Sequence, residues 1–173
     1  MEKEIERMYY EYSDNVHRYI YWLVGNKETS EDLTQDTFYR AFKKYDSFRK
    51  NSTELTWLLK IARNITYDYF RKKKLAKFLN MDSDFPSTFL NPEEKIIKND
   101  EISALYEAMK SIKKDYRDVI LIRKISECSV KETAYILGWT EAKVKMKLTR
   151  AIAALKKQII REGEVENGEF TGS

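Results

Sequence analysis

Between Thr140 and Leu155 the chain sets cations at helical spacing, with Lys143, Lys147 and Arg150 towards one side and Lys145 flanking them. Cations presented by a helix suit phosphates and the base edges of a major groove, so the chemistry on offer is recognition of a polyanion. A second set, Lys60, Arg63, Asn64, Tyr67, Arg71 and Lys74, forms a stripe in which an aromatic ring interrupts the charges. Charge that follows a backbone and a ring that offers a stacking surface are what single-stranded nucleic acid requires. A third stripe mixes acids, an amide and a ring at Asp32, Gln35, Asp36, Tyr39 and Lys43. It is either a solvated face or a surface for a basic partner. On spacing alone, each basic stripe reads equally as the solvated side of an amphipathic helix.

Covalent chemistry has little to work with. One cysteine, Cys128, and one histidine, His17, cannot build a zinc cluster or a disulfide framework within one chain. No nucleophile, base and orienting residue can be grouped, so the expectation is no enzyme, no catalytic residue, no metal and no cofactor. Cys128 is expected to be a small buried residue beside a helix cap, and His17 an exposed or satisfied side chain.

These residues must be held by helices. Among 173 residues there are five glycines and two prolines, and no glycine lies between Asn26 and Leu137, which excludes tight hairpins and glycine-rich phosphate loops from that span. Ser129 and Glu132 form a capping pair, Gly138 stops the helix that carries Ala134, Ile136 and Leu137, and Thr140 caps the next. Val144, Leu148, Ala151, Ile152 and Leu155 then make a buried side. Two short helices broken at one glycine, the second studded with cations, read as a helix-turn-helix.

Upstream, Ile5, Met8, Tyr9, Tyr12, Val16, Tyr19, Ile20 and Leu23 predict a first helix ending at Gly25. Thr29 and Ser30 are expected to cap a second, with Leu33, Thr37, Ala41 and Tyr45 inward. A polar stretch from Asp46 to Thr53 leads to a helix from Thr56 to Lys74, whose buried side is Leu58, Ile61, Ala62, Ile65 and Tyr69. Residues 76–100 hold both prolines, Pro86 and Pro92, and 3 lysines against 5 acids, the composition of a linker. Beyond it Ile102, Leu105, Met109 and Ile112 open a second helical unit.

The expected fold is therefore all-α, two small helical domains joined by a flexible linker. The net charge of +4 is uneven, since residues 101–160 hold 13 Lys/Arg against 7 Asp/Glu. A basic segment in a nearly balanced chain points to a nucleic-acid face better than the overall charge does. No signal sequence and no apolar run long enough for a bilayer are seen, so a soluble, cytoplasmic protein without membrane insertion is expected. Residues 163–173, ending in GEFTGS, are expected to be a disordered tail, natural or a cloning remnant.

From about Tyr9 to Lys157 the chain resembles the sigma-70 superfamily of bacterial transcription initiation factors, specifically its small extracytoplasmic-function (ECF) group. EDLTQDTFYRAF, from Glu31 to Phe42, is similar to that family's polymerase-binding helix. TWLLKIARNITYDYFRKKK, from Thr56 to Lys74, looks like its promoter-melting and minus-10 recognition helix. DYRDVILIRKISECSVKETAYILGWTEAKVKMKLTRAIAAL, from Asp115 to Leu155, is similar to its minus-35 reading domain. Three motifs in this order around such a linker are far more specific than any one of them. Departures are Thr133 in place of an aliphatic residue, Thr140 in place of a serine and Lys147 in place of an arginine. Lys113, Lys114 and Asp115 stand where Leu-Pro is frequent. Thr140 keeps the cap; Lys147 keeps the charge but loses the bidentate fork.

The resemblance implies region 2 over residues 1–75, a linker over 76–100 and region 4 over 101–162. It implies that Asp32, Gln35, Asp36, Tyr39 and Arg40 bind core RNA polymerase, through the clamp helices of its largest subunit, with the flap as a further partner surface. Trp57, Lys60, Arg63, Asn64, Tyr67, Arg71, Lys72 and Lys73 would serve the minus-10 element, beside the loop from Asp46 to Thr53. Thr140, Lys143, Lys145, Lys147 and Arg150 would serve minus-35 duplex. Promoter DNA and an anti-sigma factor are the other implied partners. The rival reading is a stand-alone helix-turn-helix regulator, which accounts for Ser129 to Leu155 but leaves the first-half stripes unexplained. A helical adaptor that binds only proteins is a further rival and predicts no DNA affinity.

Overall fold

The structure, a computed structural model, describes residues 1–79 and 100–168. All regular structure among the described residues is helical. The chain divides into two compact units, Met1–Glu94 and Lys95–Ser173. Most of the expected linker lies outside the described residues.

The first unit is a three-helix bundle of α1 (Glu2–Val24), α2 (Lys27–Lys44) and α3 (Glu54–Leu79). Helix α1 buries Ile5, Met8, Val16, Tyr19, Ile20, Leu23 and Val24, an apolar side at helical period. It ends at Gly25, whose φ of 70° is the left-handed conformation glycine adopts without a side-chain penalty. Helix α2 starts earlier than its expected caps, because Asn26 accepts from the Thr29 amide at 2.7 Å. Thr29 and Ser30 thus lie inside the first turn, where the Ser30 hydroxyl donates to the Asn26 carbonyl at 2.6 Å. Thr34 and Thr37 are buried and each donates to the carbonyl four residues back at 2.7 Å, so polar groups enter this core with partners. Helix α3 contributes Thr56, Trp57, Leu58, Leu59, Ile61, Ala62, Ile65 and Thr66. Arg7 of α1 is clamped by Glu11 at 2.7 Å and by Glu54, at the start of α3, at 2.6 Å. That acid raises the guanidinium pKa further, but the arginine is exposed, so the bridge orients more than it stabilises.

The second unit contains α4 (Asp100–Ser111), α5 (Lys114–Ile120), α6 (Val130–Leu137) and α7 (Glu141–Gly168). A wide turn over Leu121–Ile125 ends α5, with the Ser126 and Cys128 amides reaching back to Leu121 and Ile122. Ala108, Met109, Ile112, Val119, Leu121, Ile122, Ile136, Val144 and Ala151 fill the core.

Two boundaries differ from expectation. Helix α3 runs through 76–79, and α7 runs to Gly168, where a linker and a disordered tail are expected. For α3 the reason is propensity: residues 76–79, Ala-Lys-Phe-Leu, contain no breaker, and a helix already nucleated by packing extends at little cost; for α7, whose added turns hold Gly163 and Gly168, propensity gives no such account. Residues 169–173 lie outside the described residues.

Candidate nucleic-acid interface

The turn between α6 and α7 is built by local chemistry. Ser129 accepts from the Glu132 amide at 3.1 Å while Glu132 accepts from the Ser129 amide at 2.7 Å, closing both ends of the capping pair. Gly138 has φ 67°, and a Cβ added there would meet nothing within 4 Å, so it is the backbone conformation that calls for glycine. The Thr140 hydroxyl accepts from the Lys143 amide at 3.1 Å and starts α7. Thr133 is fully buried and donates to the Ser129 carbonyl at 2.8 Å, which shows how a hydroxyl is tolerated at an aliphatic position.

The expected cations of α7 separate. Lys143 and Arg150 are exposed on one side, and the Lys143 ammonium lies 4.6 Å from the Trp139 ring centroid. Lys145 is exposed too, but two residues at 3.6 per turn put it roughly 160° round the axis from Lys143, on the opposite flank. Lys147 is half-buried: its ammonium is 3.2 Å from Asp115 Oδ2 and 5.6 Å from the Tyr116 ring. Trp139, Asp115 and Tyr116 were therefore not in the expected set. Trp139 carried a signal, an aromatic in the turn itself; the other two lie 32 and 31 positions from Lys147 and are joined to it only by packing.

In the first unit, Asp32, Gln35, Asp36, Tyr39 and Arg40 are all exposed on α2, with Tyr39 at 63 %. Lys43 lies 5.4 Å from the Tyr39 ring, and Arg40 Nη1 is 3.7 Å from Asp68 Oδ2 on α3. Asp68 also pairs with Arg71, so one carboxylate stands between the acidic-aromatic face and the basic stripe.

On α3, Lys60, Arg63, Asn64, Tyr67 and Arg71 share one side, and the Arg63 guanidinium lies 4.9 Å from the Tyr67 ring. Lys72 and Lys73 are exposed but turn away from this stripe, Lys73 towards the Tyr69 ring at 5.7 Å. Trp57 is 8 % exposed and stacks on Phe48, ring centroids 4.8 Å apart. It forms the floor under the loop 46–53, and a ring so covered offers no open face to a base.

Among the described residues no three of His, Cys, Asp and Glu come together as metal ligands, and no helix is long and apolar enough to cross a membrane. Cys128 is buried, and burial pushes its thiol from 9.0 up to about 12. His17 is half-buried and stacks on Tyr21 at 6.1 Å.

Two helical units, one bearing a basic aromatic stripe and the other a helix-turn-helix with an exposed cationic side, define a nucleic-acid-binding protein of bipartite design. Sigma-70 region 2 matches residues 8–76, and sigma-70 region 4 matches residues 102–155. The chain is 32 % identical to the ECF RNA polymerase sigma factor SigX of Bacillus subtilis, over 94 % of this chain and 88 % of that one. It is 30 % identical to the RNA polymerase sigma factor YlaC of the same organism, over 94 % and 95 % of the two chains. In fold it is similar to the sigma factor RpoE of Bartonella quintana, solved in complex with the anti-sigma factor NepR, with a TM-score of 0.76, 24 % identity and coverage of 91 % and 97 %. The chain belongs to the sigma-70 family, in its ECF group. It is a sigma factor that directs RNA polymerase to promoters, and the stand-alone regulator is set aside.

Proposed function

We propose that the three surface faces divide the work of initiation. Asp32, Gln35, Asp36, Tyr39 and Arg40 dock on the clamp helices of the largest polymerase subunit. Lys60, Arg63, Arg71, Lys72 and Lys73 hold phosphates of the minus-10 non-template strand, while Asn64, Tyr67 and the loop 46–53, seated on Trp57, receive unstacked bases. Such capture offsets an unstacking cost of roughly a few kcal/mol per base. Thr140, Lys143 and Arg150 make the minus-35 face, with Lys147 beside it held back on Asp115 and Lys145, on the opposite flank of α7, reaching phosphate only from outside it. Residues 1–75 act as region 2 and 101–162 as region 4, joined by 76–100, and the polymerase flap meets region 4. The chain works in the cytoplasm, acts by binding and melting without catalysing a reaction of its own, and is held in check by an anti-sigma factor, as the sigma factor from Bartonella quintana is seen with NepR.

The observation that carries this reading is the placement of an exposed acidic-aromatic face on α2 and, on α3 of the same small bundle, a basic-aromatic stripe in which Lys60, Arg63 and Tyr67 are half-buried and Asn64 and Arg71 exposed. One surface suits a protein and the other a nucleic acid. The test is in vitro transcription with purified core polymerase on a pooled promoter library, with wild-type protein and the Asp32→Lys/Asp36→Lys variant. Protein-dependent transcripts sharing elements near minus 35 and minus 10, lost in the variant, are expected. Transcripts that survive charge reversal would remove the docking assignment.

A further inference from the structure

Lys147 stands apart from the other cations of α7. Lys143 and Arg150 are exposed, whereas the Lys147 side chain, 24 % exposed, lies back on the first turn of α5, with its ammonium 3.2 Å from Asp115 Oδ2 and beside the Tyr116 ring. The carboxylate is the open member of the pair, at 50 % exposure. An acid in this position does two things to the minus-35 face. It neutralises a cation that would otherwise be free for any phosphate, and it turns that cation's long stem away from Lys143 and Arg150. Phosphate contacts hold a protein on DNA without reading sequence, whereas base contacts discriminate. Withholding one cation from the backbone therefore lowers binding to every duplex alike and leaves the difference between right and wrong duplexes to the remaining side chains.

We propose that Asp115 sets the strength and salt dependence of duplex binding by region 4, acting through Lys147: it ties this lysine to α5 and so limits the sequence-independent part of duplex binding. The inference rests on reading α7 as the duplex-facing helix. Asp115 itself touches no base; it is a positioning residue, and the sensitive readout is the salt dependence of binding. Each phosphate neutralised adds about 0.9 to the slope of log affinity against log salt.

The experiment titrates the full chain, wild type, Asp115→Asn, Asp115→Glu, Lys147→Ala and the Asp115→Asn/Lys147→Ala double variant, against two labelled duplexes over a range of salt. One duplex carries a selected minus-35 element and the other is of random sequence. Asp115→Asn, which keeps shape and removes charge, should bind the random duplex several-fold more tightly at low salt and steepen the slope by about 0.9, one phosphate. The minus-35 duplex should gain by the same factor, leaving the preference between the two duplexes unchanged. Asp115→Glu, which can still reach the lysine, should behave as wild type. Asp115→Asn should have no effect once Lys147 is alanine. An Asp115→Asn effect that persists without Lys147 would show plain repulsion of DNA by the acid, and weaker or unchanged binding by Asp115→Asn would show that the tie does not restrain the lysine; either overturns the proposal. A wild-type chain that binds neither duplex would remove the reading of α7 itself, and the proposal with it.

Discussion

At the scale of single residues, Cys128 shows how position sets chemistry. Its Sγ is 3.8 Å from the Ser126 carbonyl, and the residue is buried at the entry to the capping pair of α6. Burial, with the Glu132 charge adding to it and Arg123 opposing, holds the proton on the thiol up to about 12 instead of 9.0. Between those values the unfolded chain releases a proton that the folded chain keeps, so this group lowers stability as pH rises through that window and has no effect below about pH 8. The check is the urea midpoint of wild type and Cys128→Ala from pH 7 to 11, since lysines and tyrosines titrate in both proteins and cancel in the difference. The gap should stay constant to about pH 8 and move against the wild type above about 9. A gap that never changes would mean the thiol ionises as freely in the fold as outside it. The burial of Cys128 was legible in the sequence because a cap is a local pattern. The tie on Lys147 was not, because its partner Asp115 is 32 positions away and only the packing of α5 against α7 brings them together.

At the scale of elements, α3 separates what periodicity can show from what it cannot. The alternation of Leu58, Ile61, Ala62 and Ile65 with Lys60, Arg63, Asn64 and Tyr67 gave both the helix and its sidedness, since both follow from the period of 3.6. Trp57 sits at the margin of that stripe, and an indole is suited either to stack on a base or to fill a core. Phe48, across the loop, decides for the core. The start of α2 gives the same lesson on a smaller scale: Asn26, Thr29 and Ser30 are all good caps, and the one nearest the Gly25 stop takes the role because the helix can begin there. From its burial, Trp57→Ala should destabilise the first unit by about 3 kcal/mol, within the range for truncating a buried aromatic. Trp57→Phe should retain most of the stability and also most of the promoter opening by polymerase, followed with a fluorescent base analogue in the minus-10 element. If Trp57→Phe kept full stability yet abolished opening, the indole would have to reach DNA itself, and its place under the loop would be a resting position.

At the scale of the whole molecule, charge is divided by task. The chain carries only +4, but the acids of α2 and the cations of α7 sit in different units, each with its own core. Substitutions in separate cores that share no partners add in free energy, so the two activities should fail independently. Asp32→Lys/Asp36→Lys in the full chain should remove co-purification with core polymerase while leaving binding of duplex by region 4 within about twofold, the size of an additive residual of about 0.4 kcal/mol. Lys143→Ala/Arg150→Ala should do the reverse: polymerase binding persists, and the slope of log duplex affinity against log salt falls by about 1.8, the share of two phosphates. The two measurements read different quantities, a stoichiometry and a slope, and because each unit can unfold on its own, an unchanged thermal unfolding profile in each variant is what separates loss of a face from loss of its fold. Cross-effects beyond the additive residual would mean that docking on polymerase and reading of the minus-35 duplex are coupled through the chain. In that case the charge pattern would describe a switch between faces and not a division of labour.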